Sequence, residues 1–173
     1  MAHWTREVLL NRIKAIRVYG AAGKHAPHKP LLLLLALARV QRGESRWYPF
    51  ALAETELGDL LRRHNPTGRA TPEYPFWRLK NDGPQGSAPK DRLWTIRGDD
   101  TIREALERGA RDVSRAGLLR GAAEGGFPEE LQAFLAAHPS VVNDAVELIL
   151  EQHFRSWYEF VKHGEKRGSF IPI

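Results

Sequence analysis

Two lysines and two histidines stand within seven residues in Lys24-His25-Ala26-Pro27-His28-Lys29-Pro30, directly ahead of a leucine-rich run. The prolines pre-set the backbone, and the first N–H groups of a following helix have no intrahelical partner, so the stretch suits an anion and reads as a phosphate seat. The same residues also fit an ordinary interhelical loop with solvated cations. A second group, Thr71-Pro72-Glu73-Tyr74-Pro75-Phe76-Trp77-Arg78-Leu79-Lys80, packs three aromatics, two prolines and two cations into ten residues. Read as a strand, it puts Tyr74, Phe76, Arg78 and Lys80 on one face and Pro75, Trp77 and Leu79 on the other. One face must be core, and Phe76 is expected there.

Catalytic chemistry is poorly represented. Of the seven histidines only His25 and His28 are close, in a Pro-broken loop with no nearby acid to complete a metal set. The acidic pairs Asp99-Asp100 and Glu129-Glu130 sit where helices are expected to start, and there they complement the helix dipole. Glu165-Lys166, in a Gly-rich tail, is a weak basis for a metal-dependent nuclease. The chain has no Gly-rich phosphate loop ending in Lys-Ser or Lys-Thr, no Gly-x-Ser-x-Gly elbow and no cysteine nucleophile. No catalytic residue, metal ligand or cofactor is assigned.

Composition narrows the class. The 173 residues include no cysteine, which excludes a disulfide scaffold and a cysteine-ligated zinc or iron–sulfur site. No apolar run approaches the ~20 residues that span a bilayer, and the amino terminus turns polar at once, so a cytoplasmic protein is expected. Residues 1–97 carry 17 Lys and Arg against 8 acids, whereas residues 98–173 carry 9 against 13. A basic first part meeting a polyanion, with an acidic part packed behind it, is one reading; uneven surface statistics are the other.

The elements that must position these groups follow from periodicity. Thr5 before an apolar stripe of Val8, Leu9, Ile13 and Ile16 predicts a capped amphipathic helix ending near Gly20. Residues 30–41, with five consecutive leucines, predict a central buried helix. A short strand over 46–51 and a third helix over 53–64 come next. The aromatic runs 74–80 and 92–97 read as a hairpin with a long tip over 81–91. This order is that of a winged helix, whose wing usually touches nucleic acid. Helices are expected at 101–108, 113–123, 128–136 and 141–153, joined by Gly125-Gly126 and His138-Pro139, with an irregular tail beyond. The fold class is therefore mostly α (α+β), a single domain over 1–173. It comprises a winged-helix-like reading part with a β-hairpin wing (5–97), supporting helices (98–155) and a tail (156–173).

Two motifs taken together, His28-Lys29-Pro30-Leu31-Leu32-Leu33 opening the buried helix and Tyr74-Pro75-Phe76-Trp77-Arg78-Leu79 after it, resemble the DNA sulfur-binding domain of phosphorothioate-dependent, McrA-like type IV restriction endonucleases. Gly125-Gly126-Phe127-Pro128 and Val146 to Phe154 resemble the closing helical part of that domain. The resemblance implies a binding module, not an enzyme, that reads duplex DNA in which sulfur replaces one non-bridging phosphate oxygen. It implies a sulfur pocket of His28, Lys29, Tyr74, Pro75 and Arg78. DNA-backbone contacts are expected from Lys24, His25, Trp77, Lys80, Lys90 and Arg92, and base reading from Asn81, Gln85 and Ser87. The effector would be an HNH nuclease, covalently joined or separate, for which this chain has neither room nor zinc-binding cysteines. The rival readings are a winged-helix regulator of unmodified DNA, a metal-dependent nuclease and a protein-interaction scaffold.

Overall fold

Thr5 stands in extended conformation and its hydroxyl accepts the Val8 N–H at 3.1 Å, opening helix α1 (Arg6–Lys14) with Leu9 and Ile13 turned inward. The computed structural model of the chain describes residues 4–18, 27–64 and 69–155. Lys24 and His25 of the first cationic group, and the tail from 156 on, lie outside the described residues. Helix α2 (His28–Gln41) carries its leucines apolar all round because it packs on α3 (Phe50–His64), α4 (Glu73–Arg78), α7 (Glu129–Ala137) and α8 (Pro139–His153). Every residue from Lys29 to Ala38 is buried.

Three short strands, β1 (Tyr48–Pro49), β2 (Thr95–Arg97) and β3 (Glu124–Gly126), form an antiparallel sheet in the order β1-β3-β2. The connection from β2 to β3 contains α5 (Asp100–Glu107) and α6 (Arg115–Arg120). Asp99 and Ser114 cap these two helices through their side-chain oxygens. Four aromatic rings join the layers edge to face: Phe50 to Phe76 at 5.0 Å, Phe76 to Trp94 at 5.8 Å and Trp94 to Phe127 at 6.3 Å between centroids. Trp94 also donates its indole N–H to the Phe76 carbonyl at 2.9 Å, which ties α4 to the sheet.

The mostly helical fold and the four helices after residue 98 agree with the sequence pattern, but the hairpin does not form. Residues 74–80 are helical, in α4 and a 3-10 turn at Leu79–Asn81. The two prolines explain it. Pro72 is the N-cap and Pro75 lies in the first turn, where a missing N–H costs no intrahelical bond. A six-residue helix is too short for its period to show, and its Pro75, Phe76 and Trp77 are all buried, which a strand's alternation forbids. Strand pairing for β2 comes instead from Gly125-Gly126, the segment read as a linker. The strand expected over 46–51 is only two residues long, and Phe50 already begins α3. The expected wing, 81–91, is a loop running from α4 back to Leu93 and Trp94, with one 3-10 turn at Pro89–Asp91. Among the described residues no single helix is long and apolar enough to cross a membrane.

Candidate nucleic-acid interface

The start of α2 and the start of α4 face each other across a cavity of about 200 Å³. His28, Lys29, Tyr74, Pro75 and Arg78 all line it, so two motifs more than forty residues apart in sequence share one site. Arg17, Val18 and Thr71 complete the walls and were not anticipated. The exposed lining is predominantly apolar. Pro75 is buried, whereas Tyr74 is 42% exposed, unusually open for a ring in this fold. The Arg78 guanidinium lies over the Tyr74 ring at 4.6 Å and donates to both Asp112 carboxylate oxygens, at 2.6 and 2.8 Å. That fork holds the Asp112 carboxyl below its ordinary range and fixes the arginine, so its stem forms part of the wall. His28 sets its Nε2 3.4 Å from the Arg69 carbonyl. Among the described residues no side chain caps α2.

Lys29 is buried, and its ammonium donates to Asp82 at 2.8 Å. Asp82, itself buried, also accepts the Arg17 backbone N–H at 3.2 Å and the Arg17 Nε at 3.3 Å. This carboxylate therefore docks the segment after α1 and the start of α2 onto the turn after α4. In sequence Asp82 has the look of an exposed acid in an Asn-Asp-Gly turn; its role depends on Lys29, 53 residues away, which folding brings to it.

Several residues expected on DNA have other employment. Trp77 is fully buried, with its indole N–H on the Ala110 carbonyl at 3.0 Å, so it is a core residue and reaches no backbone. The Ser87 hydroxyl, expected to read a base, is buried in the free protein. Arg92 donates to the Ser87 and Lys80 carbonyls and staples the 80–92 loop. Lys80 lies half-buried 4.1 Å over the Trp77 ring and donates to the Trp77 carbonyl at 3.1 Å; burial pushes its pKa down to about 8. Asn81, Gln85 and Lys90 are exposed on the loop. Among the described residues no group of three or more His, Asp or Glu could hold a metal ion.

Residues 6–159 match the family model described as ScoMcrA-like, DNA sulfur-binding domain. The chain belongs to this family. The sulfur-binding domain fold is shared with two solved relatives, each complexed with phosphorothioated DNA. With that of ScoMcrA the identity is 21% and the TM-score 0.69, over 85% of this chain and 87% of the other. With that of SprMcrA they are 24% and 0.66, over 87% and 86%. The chain also matches 27% of the length of the type IV phosphorothioation-dependent restriction endonuclease ScoMcrA, at 21% identity and a TM-score of 0.69. No curated protein sequence matches the chain. In this sulfur-binding domain the sheet connection carries α5 and α6, and these bring Asp112 to Arg78 and Ala110 to Trp77. The two helices after residue 98 thus help to build the cavity side that the sequence attributed to the first part alone.

Proposed function

We propose that this chain is a reader of phosphorothioated duplex DNA, with the sulfur seated in the cavity between the two helix starts. The observation that carries this reading is an apolar hollow rimmed by Arg17, His28, Lys29 and Arg78. A phosphorothioate sulfur is large, polarizable and a poor hydrogen-bond acceptor, so the Pro75 ring, Tyr74, Val18 and the Arg78 stem can cover it at little cost. A phosphate oxygen in the same place loses water without gaining a donor, a penalty of roughly 1 to 3 kcal/mol. Shape and desolvation select sulfur, while the cations supply charge complementarity. Catalysis belongs to an effector nuclease, joined to this reader or separate from it.

The test is a titration at one stated salt concentration of duplexes carrying a single Rp phosphorothioate, the Sp diastereomer or no sulfur. Tighter binding of one diastereomer is the expected result, because a pocket set against one face of a phosphate does not accept sulfur on the other; the family resemblance implies that it is Rp. Equal affinity for all three duplexes refutes the reading and favours a regulator of ordinary DNA. Tyr74→Asn is expected to remove most of the preference for sulfur while leaving weak, salt-sensitive binding to any duplex.

Asp112→Ala releases Arg78 from its fork, and the same preference is expected to fall with little change in the affinity for plain DNA. An unchanged ratio of sulfur to oxygen affinity in that variant removes Arg78 from the wall. On the exposed loop, Asn81 and Gln85 carry amide groups able to read base edges and Lys90 a cation able to meet phosphate. Replacing both amides by Ala is expected to relax the sequence preference around the sulfur by roughly 1 to 3 kcal/mol per bidentate contact. Binding sites selected from a random phosphorothioated library provide the measurement, and identical sequence logos for the wild type and the variant exclude the loop from base reading.

A further inference from the structure

A second recess, of about 280 Å³, adjoins the apolar cavity and shares Arg17, Lys29 and Arg78 with it. Its walls add Lys80 and Arg111, so five cations face one acid, Asp82. Asp82 is already engaged by Lys29 and Arg17, and Arg78 is held by Asp112, which leaves the charge of Lys80 and Arg111 uncompensated by the lining itself. Lys80 is the unusual member. Its ammonium lies half-buried 4.1 Å over the Trp77 ring and donates to the Trp77 carbonyl and the Asn81 side chain; among the described residues it forms no ion pair, because the nearby Asp112 carboxylate is forked to Arg78. A half-buried lysine whose neighbouring acid is committed to an arginine keeps its positive charge open to an anionic ligand.

We infer that this recess seats the phosphodiester next to the phosphorothioate on the same strand, an ordinary oxygen phosphate held by charge. The inference rests on the sulfur-reading proposal and deepens it. Two abutting hollows with three shared side chains suit two consecutive linkages of one backbone, one chosen for poor hydrogen bonding and one for negative charge. The groups around the Lys80 ammonium are Asp112, Arg78, Arg92 and Arg111, with the Trp77 ring and carbonyl and the Asn81 side chain completing its surroundings. With a pKa near 8 in the free protein, Lys80 is protonated at neutral pH, and a bound phosphate holds the proton on as pH rises. Binding is therefore favoured below pH 8 and weakens above it.

The experiment compares wild type, Lys80→Met, which keeps an apolar chain of similar length beside Trp77 without the charge, and Lys80→Arg on three Rp-phosphorothioated duplexes. One is unaltered, and the others carry a neutral methylphosphonate at the linkage 5′ or 3′ to the sulfur. For the wild type, one of the two methylphosphonates is expected to weaken binding about tenfold, the scale of one lost charge-assisted contact. Lys80→Met is expected to lose about tenfold on the unaltered duplex and nothing further on that methylphosphonate duplex. Between pH 7 and pH 9 the wild type is expected to lose about tenfold in affinity, and Lys80→Arg almost none. Losses that multiply at both methylphosphonate positions, or an equally flat pH profile in wild type and Lys80→Arg, overturn the second seat. A wild-type ratio of sulfur to oxygen affinity of one refutes the sulfur reading instead, so the two failures are distinguishable.

Discussion

Asp82→Ala is expected to destabilise the fold by about 3 to 5 kcal/mol, the usual cost of stripping the partner from a buried charge. The Lys29 and Asp82 side chains are 10% and 2% exposed, so the ammonium has little contact with water to offset loss of the carboxylate. The loss also leaves the Arg17 backbone N–H without its acceptor and removes the anchor between the segment after α1 and the turn after α4. Lys29→Met leaves Asp82 still bonded to Arg17, and is expected to cost less. The double variant Lys29→Met, Asp82→Ala should be more stable than Asp82→Ala alone, because it buries no orphan charge. Urea unfolding followed by circular dichroism provides the measurement. An Asp82→Ala midpoint within about 1 kcal/mol of wild type, the range of an exposed ion pair, refutes the structural role of this carboxylate.

This ion pair changes what Lys29 does. The sequence placed it among residues that border a phosphate, and it does border the cavity, but its charge is already opposed by Asp82. One carboxylate opposes both Lys29 and Arg17, so one positive charge of the three-membered cluster is left for a bound anion, and the more exposed Arg17 carries it to the rim. Arg17 was invisible in the sequence because it follows α1 as one more basic residue near a helix end, a common and uninformative position.

Long periodic segments were legible. Thr5 caps α1, whose apolar stripe, like those of the fifteen-residue helices α3 and α8, is set by repeated burial of every third or fourth residue, a signal that accumulates with length. The two motifs that meet at the cavity were legible as well, because both concentrate rare residues, Pro, Tyr, Trp and His, in a few positions. Short elements were not. Residues 73–78 make under two helical turns, and their aromatic content argued for a strand until the first-turn prolines are weighed. Gly125 and Gly126 gave no strand signal at all, since a strand without side chains has no alternation to display.

The reason for those glycines is steric, and it supplies the second large effect. A Cβ on Gly126 would lie 2.2 Å from the carbonyl oxygen of Arg46, and one on Gly125 would lie 2.4 Å from the Trp94 ring. Neither neighbour can yield easily. Arg46 stands two residues before β1 and is tied by its guanidinium to the Phe127 carbonyl at 3.1 Å, and Trp94 is locked by its hydrogen bond to Phe76 and by edge contacts to Phe76 and Phe127. Gly126→Ala is expected to cost about 3 kcal/mol, the upper end of overpacking effects. Gly86→Ala, at a positive φ of 75° with open space around it, is expected to cost only about 1 kcal/mol for the left-handed backbone. Gly125→Ala reaches further, because Trp94 holds α4 through the Phe76 carbonyl and α4 presents Tyr74 and Pro75 to the cavity. Below its melting temperature this variant is expected to lose preference for the sulfur-bearing duplex while keeping its affinity for plain DNA. Thermal unfolding of the three variants, with near-ultraviolet circular dichroism for Trp94 and duplex titration for Gly125→Ala, measures both consequences. A Gly126→Ala variant no less stable than Gly86→Ala would show that the sheet accepts a methyl there, and the steric account of this strand would fail.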